Sequence, residues 1–190
     1  MTKQQLDRTM AARLLEPGPL ALLTSSYRSA ENVMTLCWMM PASLDPPVIA
    51  VAIQPSRLSH EYVGSSEFFG LSIPTADLLV AVHRCGIESG RDGDKFVRAG
   101  ITPVDALEIE APLVEECLAH IECGVIDRMS FGDHDLFIGE VLAVQAEEEA
   151  FNERWMVEVD AGQVLHHLRA DHYAVLSRPY QAHLPEDDDE

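Results

Sequence analysis

The segment Ser56-Arg57-Leu58-Ser59 offers a group of hydrogen-bond donors suited to an anion. It opens a predicted helix, where the first backbone N–H groups lack intrahelical partners and the helix dipole is positive. The Arg57 guanidinium and the Ser59 hydroxyl could converge there on a phosphate group. An ordinary capped helix can begin in the same way, so this segment alone leaves both interpretations open.

A second cation, Lys95, lies in the segment Asp94-Lys95-Phe96, which is loop-like by composition. The chain has only two lysines, Lys3 and Lys95, against eleven arginines. Lys95 could join Arg57 at the same phosphate, or it could be a solvated loop residue. The scarcity of lysine favours the first interpretation.

The run Asn32-Val33-Met34-Thr35-Leu36-Cys37-Trp38 places polar groups on a predicted strand that also carries a large aromatic side chain. Such a strand can hydrogen-bond to the polar edge of a flat ring while its apolar side chains cover the ring face. Trp38 could equally belong to the core.

Two groups of residues have types that could bind a metal. Cys117 and Cys123 would share one face of a strand while His120 would point to the other, so buried thiols are favoured over a metal site. The second group is His166, His167 and His172. It lacks the cysteine or carboxylate spacing of zinc sites, and we interpret it as part of a surface or lid segment. No metal site is predicted.

Composition limits the classes of partner and compartment. Against 13 Lys and Arg residues stand 32 Asp and Glu residues, for a net charge of −19. This surface repels nucleic acid and anionic membranes. No apolar run approaches the roughly 18 residues of a membrane span, and the four cysteines form no CxxC pair. We therefore expect a cytoplasmic protein with reduced thiols. The absence of GxSxG, P-loop and strand-associated GxGxxG motifs removes the usual signs of triad hydrolysis and Rossmann binding.

Short β-rich runs alternate with a few helical segments along the chain. The predicted strands cover residues 20–27, 33–39, 48–53, 67–73, 113–129 and 136–144, and the predicted helices cover residues 4–16, 56–63 and 76–84. Gly132-Asp133 predicts a two-residue hairpin turn, with His134 at or just past its tip. Short loops imply antiparallel neighbours, and the pattern favours a small β-barrel with inserted helices.

We expect one domain over residues 1–190. Its parts are an N-terminal helix within 1–16, a barrel over 17–146, a C-terminal segment over 147–185 and an acidic tail over 186–190. The 47% apolar content is enough for a folded core.

Several segments fall in an ordered series between about residues 17 and 146. They are Asn32-Val33-Met34-Thr35 with Trp38, Ser43-Leu44-Asp45-Pro46-Pro47, Arg57 with Ser59, Glu67-Phe68, the segment from Ser89-Gly90 to Asp94-Lys95-Phe96, and the strand from His134 to Gly139-Glu140-Val141. The series resembles the flavin reductase-like, FMN-binding split-barrel family, and within it the flavoredoxin-type branch.

The resemblance implies a Greek-key split β-barrel that forms a homodimer with FMN near the subunit interface. It assigns the isoalloxazine ring to Asn32, Met34, Thr35 and Trp38, with backbone contacts from Ala42-Ser43. It assigns the phosphate to Arg57, Ser59 and Lys95, and it places His134 close to the flavin.

The resemblance also implies a reaction. A hydride would pass from NADH or NADPH to FMN, and electrons would then pass to an acceptor, with His134 as a positioning and proton-handling residue. A non-catalytic FMN-binding carrier or sensor would use the same residues. An acidic protein-interaction module on a barrel scaffold is the third hypothesis.

Overall fold

Antiparallel β-strands are the main secondary structure of the chain. The computed structural model describes residues 18–159, 162–176 and 178–182, together with Asp7, Met10, Leu14 and Leu15. The strands are β1 (Gly18–Pro19), β2 (Ala21–Tyr27), β3 (Ala30–Leu36), β4 (Met39–Leu44), β5 (Pro47–Ile53), β6 (Phe68–Ile73), β7 (Pro103–Val104), β8 (Leu113–Val114), β9 (Ala119–Phe131), β10 (His134–Ala146), β11 (Phe151–Asn152), β12 (Arg154–Trp155), β13 (Leu165–Arg169) and β14 (His172–Val175).

Three α-helices lie between strands. They are α1 (Leu58–Ser66), α2 (Leu79–Ile87) and α3 (Lys95–Ala99), and short 3₁₀ turns at Ala76–Leu78 and Gly90–Asp92 precede α2 and α3. The C-terminal hairpin of β13 and β14 pairs with β1 to form a separate three-stranded sheet.

Seven strands form the main sheet in the order β3-β2-β6-β9-β10-β5-β4, and every pair is antiparallel. The sheet edges are β3 and β4, which follow one another in the chain and are joined by Cys37 and Trp38. The predicted antiparallel β architecture with inserted helices is confirmed.

Strand β2 is buried on both faces because it separates two cores. Ala21 and Leu23 belong to the core inside the curved main sheet, which also contains Phe69 and Phe137. Leu22 lies between them in the strand, so its side chain points to the opposite face and belongs to a second core. Helices α2 and α3 cover the sheet at this second core. The core also buries one face of β3.

The edge strand β4 is irregular. Pro41 interrupts its ladder of hydrogen-bond donors, and a register shift separates Pro41 from Ser43 in the pairing with β5. Met40 and Leu44 are exposed on the same strand.

Two hairpins test the predicted turns. Gly132-Asp133 joins β9 to β10 as predicted, and Gly132 has a φ of 60°, which glycine adopts without strain. The sequence predicts a break between two strands at residues 29–32, and this boundary is wrong. The turn lies one step earlier, at Arg28 and Ser29, whose φ values of 52° and 64° fit a two-residue hairpin.

Other boundaries also differ from the expectation. Residues 40–44 form β4, which the sequence did not predict, and β5 pairs with β4 and β10 rather than with β3. The predicted helix at 76–84 begins as a 3₁₀ turn and continues as α2 to Ile87. Of the predicted helix at 4–16, only four residues are described, among which Leu14 and Leu15 are helical. Lys3 and the acidic tail at 186–190 lie outside the described residues.

Contrary to the sequence prediction, Cys117, His120 and Cys123 do not all lie on one strand. Cys117 precedes β9 and is buried in the second core, whereas Cys123 lies on β9 in the first core. His120 Nδ1 lies 3.1 Å from the hydroxyl oxygen of Ser72 on β6. Burial raises the pKa of Cys117 well above its usual value and that of Cys123 to about 12, so both remain thiols.

Among the described helices, none has both the length and the apolar character needed to cross a bilayer.

Candidate functional site

A cavity of about 220 Å³ lies between the sheet edge at β3 and the first turn of α1. The end of α2 and the segment that follows it complete its walls. The lining residues are Asn32, Met34, Thr35, Ser56, Arg57, Leu58, Ser59, Cys85, Gly86, Glu88, Ser89, Gly90 and Lys95. We call this the phosphate cavity, because it contains the three residues that the resemblance assigned to a phosphate.

The first turn of α1 presents donors to the phosphate cavity. Arg57 is the N-cap, with extended φ and ψ of −78° and 141°, and it is exposed at the rim. Ser59 is buried, and its Oγ accepts a hydrogen bond of 2.7 Å from the Asn32 amide. Ser56 does not cap α1: the N-cap is Arg57, and the Ser56 hydroxyl donates to the Gln54 side chain at 3.2 Å.

Lys95 lies at the base of this cavity and is not a solvated loop residue. It is the first residue of α3, whose N-cap Asp94 accepts a hydrogen bond from the Val97 N–H. Only 5% of Lys95 is exposed, and its Nζ donates to the Cys85 carbonyl at 2.6 Å. Burial lowers the pKa of Lys95 to about 8, and the positive charge of Arg57 acts in the same direction. An anion bound beside this ammonium group would therefore favour its charged form.

Gly90 forms a wall that no larger residue could form. A Cβ at position 90 would lie 2.1 Å from Asn32 Oδ1 and 2.9 Å from Leu58 Cδ2. The backbone of the 3₁₀ turn thereby approaches the Asn32–Ser59 pair closely. Gly86, on the same cavity, is less constrained, since its Cβ would lie 3.4 Å from the Cβ of Thr35.

Cys85 lines the phosphate cavity but is not a nucleophile. It is buried, and burial raises the pKa of its thiol to about 11, although the nearby Lys95 opposes that shift. A protonated thiol reacts poorly in substitution chemistry. The chemistry of this cavity is therefore that of an anion-binding site.

A second cavity, of about 210 Å³, adjoins the phosphate cavity and shares Thr35 and Gly86 with it. Its remaining lining residues are Cys37, His83, Ile87, His167, Ala170 and Tyr173. The Tyr173 hydroxyl lies 3.1 Å from His83 Nδ1, and the Tyr173 ring lies against that of His167 with centroids 5.1 Å apart. We call this the tyrosine cavity.

A third, largely apolar cavity of about 460 Å³ surrounds Trp38. Trp38 is 45% exposed, so it is not a core residue. Its ring packs on His134, with centroids 4.6 Å apart and planes at 37°. His134 Nδ1 in turn lies 2.9 Å from Asp133 Oδ1. We call this the tryptophan cavity. Cys37 lines both this cavity and the tyrosine cavity.

A hydrogen-bonded cluster of buried His60 and Asp135 with the exposed Arg128 joins the first turn of α1 to the hairpin that carries His134. His60 Nε2 lies 2.7 Å from Asp135 Oδ2, and Arg128 Nε donates to the same carboxylate at 3.0 Å. Hydrogen bonds from Ser130, His60 and Arg128 hold the pKa of Asp135 well below its usual range. Because His60 follows Ser59 directly, this cluster positions the donors of the phosphate cavity.

The structure brings most of the predicted site residues together. Asn32, Met34, Thr35, Arg57, Ser59 and Lys95 all line the phosphate cavity. Trp38 and His134 contact each other beside the tryptophan cavity. Ser43 lies on β4, at the opposite edge of the sheet, where it is paired with Val48.

Sequence reasoning missed several residues that line these cavities. His83 looked like an ordinary residue of a helix, and the resemblance raised a ring contact from Tyr173 or His167 but assigned no strand there and no contact with His83. No local pattern in the sequence marks their contact, which joins positions 90 residues apart. Across the described part of the chain, no group of three or more His, Cys, Asp or Glu side chains is arranged to hold a metal ion.

Comparison with known proteins agrees with this geometry. Residues 13–188 match the flavin reductase like domain. An uncharacterised protein from Pyrococcus abyssi, PYRAB12460, is 38% identical over 139 residues, which cover 73% of this chain and 80% of that protein.

Two solved structures have similar folds. The flavoredoxin of Desulfovibrio vulgaris (Miyazaki F) superposes with a TM-score of 0.83 at 26% identity, covering 96% of this chain and 97% of that one. An FMN-binding protein from Thermus thermophilus, solved with bound 1-cyclohex-2-enone, gives a TM-score of 0.83 at 25% identity and covers 96% of this chain and 99% of its own. The split-barrel fold is thus confirmed, and the chain belongs to the flavin reductase-like family.

Proposed function

We propose that this chain binds FMN and acts as an FMN-dependent NAD(P)H oxidoreductase of the flavin reductase type. The observation that carries the proposal is the phosphate cavity, where the buried cation Lys95 lies together with Arg57 and the first turn of α1. The FMN-binding protein and the flavoredoxin that share its fold support the choice of ligand.

The residues present fit a phosphate monoester. The Lys95 ammonium is buried with one carbonyl partner, so it retains donors for an anion. Arg57 adds a guanidinium at the rim, and the first turn of the nine-residue helix α1 lines the same cavity, where the helix dipole favours an anion. The close approach of Gly90 keeps the cavity narrow at its Asn32 end.

Each side chain then has a defined task. Lys95 and Arg57 neutralise the phosphate, and the Asn32–Ser59 hydrogen bond fixes the polar wall beside it. Met34 and Thr35 continue that wall along β3. Trp38 offers an exposed aromatic face for a flat ring, and Ser43 with Ala42 would offer backbone contacts at the opening of the barrel.

Bound FMN would supply the redox chemistry, by accepting a hydride from NADH or NADPH and returning electrons to an acceptor. The chain contributes binding, orientation and exclusion of water. His134 would position the nicotinamide, and its contacts with Trp38 and Asp133 beside the tryptophan cavity support this role. The buried thiols of Cys85, Cys117 and Cys123 are compatible with a reducing, cytoplasmic setting.

A homodimer is part of the proposal. Trp38 and Met40 expose apolar side chains beside the tryptophan cavity, at 45% and 56% of their surface, and Leu44 at the end of β4 is 91% exposed. A second copy of the chain would cover this surface and close the tryptophan cavity. We expect Met40→Asp to convert a dimer to a monomer in light scattering, whereas Val97→Asp, on a more exposed apolar residue of α3, should not.

FMN titration is the central test. We expect fluorescence quenching to show one FMN per chain, followed by oxidation of NADH or NADPH by the loaded protein. Binding of FMN without nicotinamide oxidation would support the carrier or sensor hypothesis instead. Absence of FMN binding at saturating concentration would contradict both and leave the acidic interaction module.

A further inference from the structure

We propose that a cavity beside the C-terminal hairpin of β13 and β14 is a second ligand site, which binds a flat ring that carries an anionic group. The cavity has a volume of about 570 Å³. Its walls include Arg154, Trp155, Val175, Leu176, Arg178 and Tyr180. We call this the arginine cavity. The inference goes beyond the proposed function and does not require FMN.

The arginine cavity is separate from the candidate flavin site. Within the described part of the chain, it shares no lining residue with the phosphate, tyrosine or tryptophan cavities. Strand β12 supplies one wall, and the end of β14 with the residues that follow it supplies the other. The volume lies within the range of about 300 to 1,000 Å³ that is typical of small-molecule sites. The cavity is therefore large enough for a ligand of mononucleotide size.

The charge of the arginine cavity is opposite to that of the whole chain. Two guanidinium groups line it and none of its described lining residues is acidic, although the net charge of the chain is −19. Arg154 is already neutralised, because its two terminal nitrogens donate to Glu158 at 3.0 and 2.7 Å. Among the carboxylates that the structure describes, none forms an ion pair with Arg178. The positive charge of Arg178 is therefore available to an anion.

Aromatic side chains beside Arg178 offer a surface for a flat ring. Tyr180 is 83% exposed, and the guanidinium carbon of Arg178 lies 5.2 Å from the centroid of its ring. Trp155 is half-buried and is held in place, because it packs against the first core and meets Phe151 edge-on at 5.3 Å. A guanidinium next to aromatic faces can bind a carboxylate or phosphate while the attached ring stacks on those faces.

Two kinds of small molecule have this chemistry. One is an adenine nucleotide, either free or as the adenosine phosphate end of NAD(P)H, and the other is a free aromatic carboxylate. Both combine a flat ring with an anionic group, which is the feature that the arginine cavity recognises. AMP and benzoate represent the two kinds, and their uncharged analogues are adenosine and benzamide.

The test measures dissociation constants for these four probes from the fluorescence of Trp155. The chain has two tryptophans, so Trp38→Phe leaves Trp155 as the only indole and serves as the parent for all further variants. Arg178→Gln removes the free charge, and Tyr180→Leu removes the exposed ring. Arg91→Gln is the matched control, because Arg91 is a half-exposed arginine that pairs with Glu61 outside the arginine cavity. Circular dichroism verifies folding.

We expect AMP or benzoate to bind more tightly than its uncharged analogue. Arg178→Gln should weaken binding of the anion about five- to tenfold, as for loss of one hydrogen bond to a charged group near the surface, and leave the uncharged analogue unchanged. Raising NaCl from about 0.05 M to about 0.5 M should weaken anion binding in the parent but not in Arg178→Gln. Tyr180→Leu should weaken charged and uncharged probes alike, about two- to fivefold. Arg91→Gln should match the parent.

The two anions distinguish the source of the ligand. Tighter binding of AMP identifies a nucleotide, and tighter binding of benzoate identifies an aromatic acid. Because the AMP phosphate could also enter the phosphate cavity, AMP is titrated into Lys95→Met as well. We expect no change there, since Lys95 lines only the phosphate cavity among the cavities described.

Three results would overturn the inference. The first is that neither AMP nor benzoate changes the fluorescence of Trp155 at millimolar concentration. The second is that folded Arg178→Gln binds both anions as tightly as its parent, which would mean that Arg178 only covers the Tyr180 ring. The third is that Lys95→Met abolishes AMP binding while Arg178→Gln retains it. None of these results bears on FMN binding, which is measured separately.

Discussion

At the phosphate cavity the important side chains are buried and hydrogen-bonded within the chain, whereas at the tryptophan cavity the large side chains are exposed. Lys95, Asn32 and Ser59 are each no more than 5% exposed. Trp38, by contrast, is 45% exposed and Met40 is 56% exposed. One end of the candidate site is preorganised by the fold, and the other has apolar surface still to be covered.

This difference has an energetic consequence. A preorganised charged end supplies affinity and discriminates by charge, because its donors need no rearrangement when an anion binds. An exposed apolar end gains stability only when a ligand or a second copy removes it from water. Substitutions should therefore have their largest effects on binding at the phosphate cavity and their smallest at the tryptophan cavity.

The most severe test of this difference is Gly90→Val. Because a Cβ would overlap Asn32 Oδ1, the substitution must displace the Asn32–Ser59 pair or the 3₁₀ turn. We expect FMN affinity to fall about hundredfold or more, as measured by fluorescence quenching. Gly124→Ala on β9 is the control, since Gly124 lines none of the four cavities and its Cβ would make only ordinary contact with Leu142. Unchanged FMN binding by Gly90→Val would show that the cavity does not hold the ligand.

Lys95→Met tests the charge at the base of the cavity. Loss of one charge-assisted bond should weaken FMN binding about ten- to hundredfold. Riboflavin binding should be unchanged, because riboflavin has no phosphate. Arg91→Met removes a nearby positive charge that pairs with Glu61 outside the cavity, and it should have little effect. Equal loss of FMN and riboflavin affinity in Lys95→Met would contradict a phosphate contact.

The pH dependence of binding follows from the same residue. In the ligand-free protein the pKa of Lys95 is about 8, so the ammonium loses its proton as the pH rises through that value. The phosphate favours the charged form, so binding above pH 8 must take up a proton. Titrations from about pH 7 to about pH 9 should show FMN affinity falling by up to about tenfold per unit above 8. The slope should disappear in Lys95→Met, and a flat wild-type profile would refute the argument.

The smallest effect is expected from His134→Ala. The Trp38–His134 contact is exposed, so its loss should change FMN affinity by no more than about threefold. The rate of flavin reduction by NADH or NADPH should fall further than the affinity does, in rapid-mixing experiments. Asp133→Asn, which alters only the partner of His134, should have a smaller effect on that rate. A large loss of FMN affinity would mean that the two ends differ less than the structure indicates.

The phosphate cavity could be predicted from the sequence because the types and positions of its residues indicate anion binding. Arg57 and Ser59 open a helix, and Lys95 is one of only two lysines in a chain rich in arginine. The sequence predicts a short helix that ends at Gly100, but Gly, Asp and Ser before Lys95 assign the start of α3 to a loop, and so the sequence does not predict the burial of Lys95.

The tyrosine cavity could not be derived in this way. Strands β13 and β14 contain histidine and arginine in place of the β-branched alternation that marks a strand, and they were therefore assigned to a surface segment. The importance of Gly90 depends on a contact with Asn32, 58 positions away, which appears only when the chain is folded. Edge strand β4 was missed because Pro41 and Ser43 weaken its β pattern.

Pro41 has a consequence for assembly. A strand that extends another sheet must offer an unbroken series of N–H and C=O groups, and β4 lacks one donor at Pro41 and bulges before Ser43. A second copy therefore cannot join this edge by continuing the sheet. Recognition between copies must therefore use side chains such as Met40 and Leu44. It depends on surface shape rather than on backbone pairing, and the sheet cannot be extended strand by strand at this edge.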